Sequence, residues 1–571
     1  MDIDTLKKQN VIDLLSLKEL YSKLEELGEK ITQIKYIDNT LVKKIKKEYE
    51  NLNKIILDEN IQVQLDNKID KFNLKLTNDI KTINSQLTND IETINSQLTN
   101  DIETINSQLT NDIETIEKRI NYLYVEDFGA KGDGLTDDTL FFQNAIDYCS
   151  SNNIQLYLKS KKYLVNSTLQ LKSNLYIEGT FESEIYMPSS TIIKDIFSHS
   201  QSIRIKNLTI KNIKLSSVND KKDTASYGVL SNIQGIVLNN CENILFQNIE
   251  TNSLTTSFKI VNSNNNGDFT DYNENVIIDN FKCFNNGTSC YITSTNNLTL
   301  NNCIFEQAKT VTSNRHCVYI KEDVDNINID KCKIKNAKGG GIHLYILPED
   351  VAHGKRVNNI NITNTTFYNC SVGIHINYSD NIKISNCLID SCSYILSVNL
   401  SDNIMVDNCI CKPNISLFSQ CNNSSIKIKN CDINVKDITG GKVIDNGGLL
   451  NNSNIEIMNT NFNNIKKKII TTGSNTDGST IKIYASNFNF VDSWGSGGAI
   501  TINNDNTKLI IQSCNIENSN SIVFPYVYYS YISDIYKKVI LKDNILIGNI
   551  TSIKPDNQES DDYGISINNL L

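Results

Sequence analysis

Between residues 203 and 513, short stretches with apolar residues at every second position end repeatedly in a small polar residue, usually Asn. They are IRIKN (203–207), ILFQN (244–248), LTLNN (298–302), INITN (360–364), IKISN (382–386), IMVDN (404–408), IKIKN (426–430) and IEIMN (455–459). VIIDN (276–280), INIDK (327–331) and LIIQS (509–513) are variants. Asn364, Asn386, Asn408 and Asn430 stand 22 residues apart, and elsewhere the interval is longer, as inserted loops make it. Strict alternation means strands with one face turned inward. A fixed repeat interrupted by loops between copies means a solenoid.

One repeat can be followed residue by residue. GIHINYSDNIKISNCLIDSC (373–392) reads as a strand, a turn, a second strand, Asn386 at a bend, and a third strand from Cys387. Ile374, Ile376, Ile382, Ile384, Cys387 and Ile389 face inward in this reading. Asn suits the bend because it tolerates the left-handed backbone and bonds to nearby main chain. Three strands per coil, each stacking on its copy in the next, describe a parallel β-helix of about a dozen coils at about 4.8 Å each. Cys303, Cys332, Cys387, Cys409, Cys431 and Cys514 then share the inward position just after the bend.

The front of the chain has a different period. Leu17, Leu20, Leu24, Leu27, Ile31 and Ile34 follow a heptad seam. LTNDIKTINSQ, two copies of LTNDIETINSQ and LTNDIETIEKR then begin at Leu76, Leu87, Leu98 and Leu109. Leu76, Ile80 and Ile83 start an apolar stripe that recurs every 11 residues to Ile120. Eleven residues in three turns is slightly more than 3.6 per turn, which winds a right-handed supercoil. A stripe this uniform needs partners, and the β-branched Ile points to a trimer.

Composition narrows the classes. The net charge is −10, with no basic patch, which argues against nucleic acid or an anionic membrane as the main partner. No apolar run is long enough to span a bilayer, and MDIDTLKKQN does not read as a signal peptide, so folding is expected in a cytoplasm. The 15 cysteines include no C-x-x-C pair and read as buried free thiols, with no metal site and no cofactor expected.

The stretch VEDFGAKGDGLTDDTLFFQNAI, from Val125 to Ile146, followed by these repeats, resembles the pectate-lyase-like superfamily of right-handed β-helices. The likeness is specific over about 60 residues and looser beyond. With a coiled-coil front end, the chain is similar to the bacteriophage tail spikes and preneck appendages. That resemblance implies a homotrimer on a virion tail, folded in the host cytoplasm. The N-terminal helices would dock on the tail or baseplate, and the coils would bind, and often cleave, a host surface polysaccharide or teichoic acid.

The expected organisation is mainly β. Residues 1–75 form a helical attachment region, 76–123 a coiled coil, 124–200 a first β-helix module with a capping helix, 201–550 the parallel β-helix, and 551–571 a tail. The four aspartates Asp127, Asp133, Asp137 and Asp138 are read as architecture. Thr136, Asp137 and Asp138 are expected to begin a helix with Phe141, Phe142, Ala145, Ile146 and Cys149 on its apolar stripe.

Stacking the repeats aligns outward residues. Tyr291, Tyr319, His343, His375 and Ser397 fall in one column, and Thr293, Lys321, Tyr345, Asn377 and Asn399 in the next. Aromatic faces suit sugar rings, so Tyr291, Tyr319, His343, Tyr345 and His375 are the candidate glycan contacts. The inserted acids Glu322, Asp323, Glu349 and Asp350, with His343, are the candidate acid and base groups. His343, His353 and Asp350 form an alternative general-base or cation group. In a hydrolase, carboxylates about 5 Å apart retain configuration and those about 6.5–9.5 Å apart invert it. Arg315 and Arg356 are the only arginines of the middle coils, so calcium-dependent pectate-type elimination is disfavoured. A non-catalytic receptor-binding fibre and a structural spacer stay open as alternatives to a glycan hydrolase.

Overall fold

The computed structural model describes residues 43, 44, 47, 62–120 and 122–555, apart from 201–202, 219–231, 263–271, 309–314, 353–354 and short stretches between 435 and 549. The heptad seam at 17–34 and His353 lie outside the described residues. Two units divide the chain, Met1–Ile113 and Glu114–Leu571.

Helix α1 runs over Gln62–Ile120 and so begins 14 residues before the first 11-residue repeat. Its 59 residues extend about 88 Å at 1.5 Å per residue. Ser and Thr are poor helix formers, and here each bonds back to the carbonyl four residues earlier, as Thr88 Oγ1 does to Asn84 O at 2.8 Å. The apolar stripe is left open, with Ile80, Ile91 and Ile102 each between 41% and 49% exposed.

The second unit is a parallel coil. Every strand pair joins one coil to the next in parallel register, as in Val372–Asn377, Ser379–Ser385 and Leu388–Asp390, which stack on Tyr394–Asn399, Ile404–Asp407 and Ile410–Lys412. The third face is a sheet of sixteen strands, so the stack is longer than the dozen coils expected. It extends about 72 Å at a spacing of about 4.8 Å. In the last coils a five-stranded sheet, from Lys442–Asp445 to Ile550–Pro555, joins the stack. A strand therefore reaches to Pro555, inside the expected tail.

Alternation decides the interior. Ile374, Ile376, Ile382, Ile384, Cys387 and Ile389 are all at most 2% exposed, as their spacing requires. Two left-handed corners, usually Asn, frame the second face of most coils, commonly five residues apart. Asn248, Asn280 and Asn408 close the strand in the left-handed conformation, with φ between 49° and 54°. Their side chains form ladders along the stack, Asn248 Nδ2 to Asn212 Oδ1 at 2.8 Å and Asn280 Nδ2 to Asn248 Oδ1 at 2.7 Å. A parallel ladder opens the strand, with Asn243 Nδ2 donating to Asn207 and Asn275 Nδ2 to Asn243. Asn207 therefore belongs to the opening ladder. The copy that aligns with ILFQN is Leu208–Asn212, and not IRIKN as the sequence suggested.

From Asn302 onward the residue after the closing corner is a small donor in many coils, whereas Ile213, Ile249 and Phe281 fill that position earlier in the stack. The thiols of Cys303, Cys332, Cys387, Cys409, Cys431 and Cys514 each lie 3.2–3.4 Å from the carbonyl two residues earlier. Thr365, Thr460 and Ser486 make the same bond in other coils. A buried group that donates to its own corner leaves no polar atom unpaired. All fifteen cysteines are buried and none forms a disulfide. Burial pushes the Cys283 thiol up to about 11, which makes it a poor nucleophile.

The four aspartates serve the first coils. The fully buried Asp138 accepts from Lys131 N at 2.7 Å and Gly132 N at 2.9 Å. Asp133 is drawn down to about 2 by the backbone N–H groups of Thr136 and Leu135 and the Thr136 hydroxyl. Gly129 has φ 107°, where a Cβ would also meet the Phe141 ring at 2.9 Å. Thr136 and Asp137 end the strand Asp133–Asp137 instead of starting a helix, and Asp138 is the N-cap position without a side-chain cap bond. Helix α2, Thr139–Asn152, buries Phe142, Ala145, Ile146 and Cys149 against the first coils, while Phe141 is only partly buried.

The corners should show their backbone requirement directly. Replacing Asn408 by Ala should cost roughly 1–2 kcal/mol for the left-handed site, whereas Asn408→Gly should cost less. Denaturant unfolding midpoints measure the difference.

Candidate functional site

The backbone register builds the outward column. Tyr291 pairs with Tyr319, Tyr319 with His343, His343 with His375, and His375 with Ser397. Their inward neighbours Cys290, Ile292, Val318, Ile320, Ile342, Leu344, Ile374 and Ile376 are fully buried. Ring centroids therefore follow each other at near the coil spacing, 5.4 Å from Tyr291 to Tyr319, 5.1 Å on to His343 and 5.0 Å on to His375. Tyr319 and His343 are stacked, at 25° between planes. Tyr345, from the second column, sits 5.3 Å from His343 and 6.4 Å from Tyr319. Upstream, Lys259 pairs in register with Tyr291 and its ammonium lies 5.6 Å from that ring. At the other end Ser397 is buried, so the column closes there.

Two residues that the alternation does not single out complete the cluster. His316 comes from the segment just ahead of the strand Val318–Asp330, so it has no place in a strand column. Its ring lies 4.2 Å from His343, 5.3 Å from Tyr319 and 5.8 Å from His375. Gly340 makes the room. A Cβ there would lie 2.7 Å from His375 Cδ2 and 3.1 Å from His316 Nδ1. Its backbone N–H donates to His316 Nδ1 at 2.6 Å. The only sequence signal was the KGGGIHLY insertion, whose glycines mark close backbone approach.

These bonds determine the tautomers. Burial holds His316 down to about 3, His343 to about 2 and His375 to about 4, so all three are neutral near pH 7. A neutral imidazole has one donor and one acceptor nitrogen. His316 accepts at Nδ1, so its proton is on Nε2 and is donated to His343 Nδ1, 2.9 Å away. The His343 proton is then on Nε2, 3.2 Å from the Asn377 amide. That partner must be the amide oxygen. With the amide nitrogen placed there, Asn377 Oδ1 is buried without a partner, and a half-turn of the amide brings the oxygen to Nε2.

The candidate acids are separately engaged. Glu322, at φ 68°, pairs with Lys321 at 3.0 Å, and both are largely buried. Burial disfavours the Lys321 ammonium, but the Glu322 hydrogen bond and charge outweigh it, with Tyr291 and Asp350 adding to the field, and hold it above the usual lysine value. Asp350 pairs with Lys355 at 2.9 Å. Asp323 accepts from the Tyr272 hydroxyl and from Arg356 N, the latter at 3.3 Å. Glu349 is exposed on the short helix α3, Pro348–Ala352. Glu322 and Asp350 thus gather around Lys321 beside the rings, whereas Asp323 is held by Tyr272. Among the described residues no group of three His, Cys, Asp or Glu is arranged to hold a metal ion, and no helix is long and apolar enough to cross a membrane.

Residues 122–343 match the family described as rhamnogalacturonase A/epimerase, pectate lyase-like. No curated protein matches this chain. Among solved structures, the pre-mature form of bacteriophage phi29 gene product 12 is 14% identical over 78% of this chain, with a TM-score of 0.51. This chain spans 58% of the length of that structure. An N-terminal fragment of the same phi29 protein gives 13% identity, coverage of 78% of this chain and 89% of the fragment, and a TM-score of 0.48. A tailspike protein of E. coli bacteriophage HK620, in complex with a pentasaccharide, gives 11%, 77%, 79% and 0.44. The phi29 likeness, at a TM-score above 0.5, covers a larger share of the chain than the family match over residues 122–343 does.

The neutral histidines set an acid response. Their pKa values are depressed in the fold, so each takes up a proton on unfolding once the pH is below its unfolded value of about 6.5. The stability linked to their neutral burial is complete above that pH and is lost as pH falls from about 6.5 through the folded values, which begin near 4. Thermal unfolding should therefore shift downward across this window. The His343→Gln variant should show a shallower fall than the parent when melting temperature is plotted against pH.

Proposed function

We propose that this protein is a bacteriophage tail-spike or appendage protein. In this reading it recognises a host surface polysaccharide or teichoic acid on the column Tyr291, Tyr319, His343, His375 with Tyr345. The observation that carries it is the continuous row of rings, with centroids about one coil apart, along the outside of a rigid stack. Such a row offers stacking to successive sugar rings, and Lys321 with Glu322 and Asp350 supplies polar groups at its edge. Phage assignment draws on the pectate-lyase-like coils together with a long helix whose repeat leaves an apolar stripe open. That stripe would be covered by two further copies of the chain, wound as a trimer, with the N-terminal residues toward the tail or baseplate.

Hydrolysis is the enzymatic form of this reading, with Glu322 and Asp350 as the acids beside the rings. A second reading, a receptor-binding fibre without catalysis, is favoured by one specific observation. Glu322 and Asp350 are each ion-paired to a lysine, so each carboxylate is already engaged with a partner of its own instead of standing open toward a ligand.

Incubating the full chain with host cell-wall polysaccharide separates the cases. Binding with release of oligosaccharides means a depolymerase, and binding without release means a fibre. Tyr319→Ala should weaken binding at least about tenfold, the range for loss of one ring-stacking contact. An unchanged affinity would move the binding surface elsewhere.

The oligomer has its own measurement. The full chain should sediment at three times its 64.4 kDa mass. Replacing both Ile91 and Ile102 by Asp should shift it toward the single-chain mass.

A further inference from the structure

We infer that His375, and not His343, is the imidazole this surface offers to a ligand, and that His316, His343 and Asn377 form a hydrogen-bonded chain that positions it. The inference deepens the reading of the column as a ligand surface and rests on that reading for the ligand alone.

Vacant hydrogen-bonding positions distinguish the rings. His316 uses Nδ1 for the Gly340 N–H and Nε2 for His343. His343 uses Nδ1 for His316 and Nε2 for Asn377. A ring with both nitrogens engaged has neither a lone pair nor a proton to give to an incoming group. The chain begins at a backbone amide and ends at a side-chain amide, so it is closed at both ends. His343 is thereby held in one tautomer and one orientation, and its stacking on Tyr319 reinforces the orientation.

His375 differs in kind. Among the described residues it makes no hydrogen bond from either nitrogen, and neither nitrogen is among the polar atoms sealed from solvent without a partner. Its ring is held by contact instead. His343 lies at 5.0 Å, His316 presents an edge at 5.8 Å, and the bare Cα of Gly340 leaves room for Cδ2. His375 is thus fixed in place with its nitrogens unspent. A neutral imidazole in that state accepts a hydrogen bond from a ligand hydroxyl and donates one from its other nitrogen. The ligand chemistry this fits is a polyhydroxylated, sugar-like group. In this arrangement His343 is a positioning residue.

Diethyl pyrocarbonate, which acylates an unprotonated and accessible imidazole nitrogen, tests this on the full chain at pH 7. Peptide mapping by mass spectrometry should show His375 modified roughly tenfold or more faster than His316 and His343, whose lone pairs are hydrogen-bonded. Asn377→Ala frees only the Nε2–H of His343 and leaves its Nδ1 lone pair bonded to His316, so the rates at His343 and His375 should each stay within about twofold. Equal rates at His343 and His375 in the parent protein, or an inert His375, would overturn the inference without need of any variant. Adding host polysaccharide should then slow modification of His375. If the polysaccharide does not bind yet the order of reactivity holds, the glycan reading fails and the assignment of the imidazole stands.

Discussion

The structure depends on main-chain hydrogen bonding between successive coils. Each strand must meet its copy in parallel register, because an unpaired buried N–H or C=O is costly. Residues can therefore be inserted only at corners. Like positions are stacked on like, coil after coil, at about 4.8 Å. The Asn ladders, the column of small donors after the later closing corners and the column of rings are three consequences of that one constraint. A carboxamide at such a corner bonds to the carboxamide of the neighbouring coil, which gives the left-handed backbone a second reason to be Asn.

The same constraint shapes the candidate site. Register places four rings in a row without any loop having to fold onto them. What the insertions add is of another kind. The segment carrying His316 and the glycine at 340 close a cluster whose imidazoles are kept neutral by burial. The acids arrive with lysines of their own. The result is an aromatic, nearly charge-balanced surface on a scaffold whose core is a continuous apolar stack.

Strand order, inward faces and both outward columns were legible because a period of two and a repeat near 22 leave little freedom. IRIKN misled because two Asn corners, Asn207 and Asn212, lie five residues apart in that coil, and a five-residue window cannot tell the opening corner from the closing one. The stack exceeded the expected dozen because the first coils, such as Gln155–Tyr157 and Tyr176–Glu178, lack the Asn ending and became visible only through pairing. His316 stayed hidden because it precedes its strand and obeys no alternation. The ion pairs of Glu322 and Asp350 were hidden for a related reason. A loop carboxylate carries no periodic signal of what it will touch.

The sequence by itself determined the coil, its parallel register, the Asn corners, the buried thiols and the open stripe of the helix. Each follows from local periodicity or from what one residue type can do with its own backbone. Only the tertiary structure decided which imidazole keeps its nitrogens free. That depends on a bond from the Gly340 amide to His316, and on an amide one coil beyond His343. Those partners are brought together by stacking and by an insertion, across separations of 24 and 34 residues that no periodicity links.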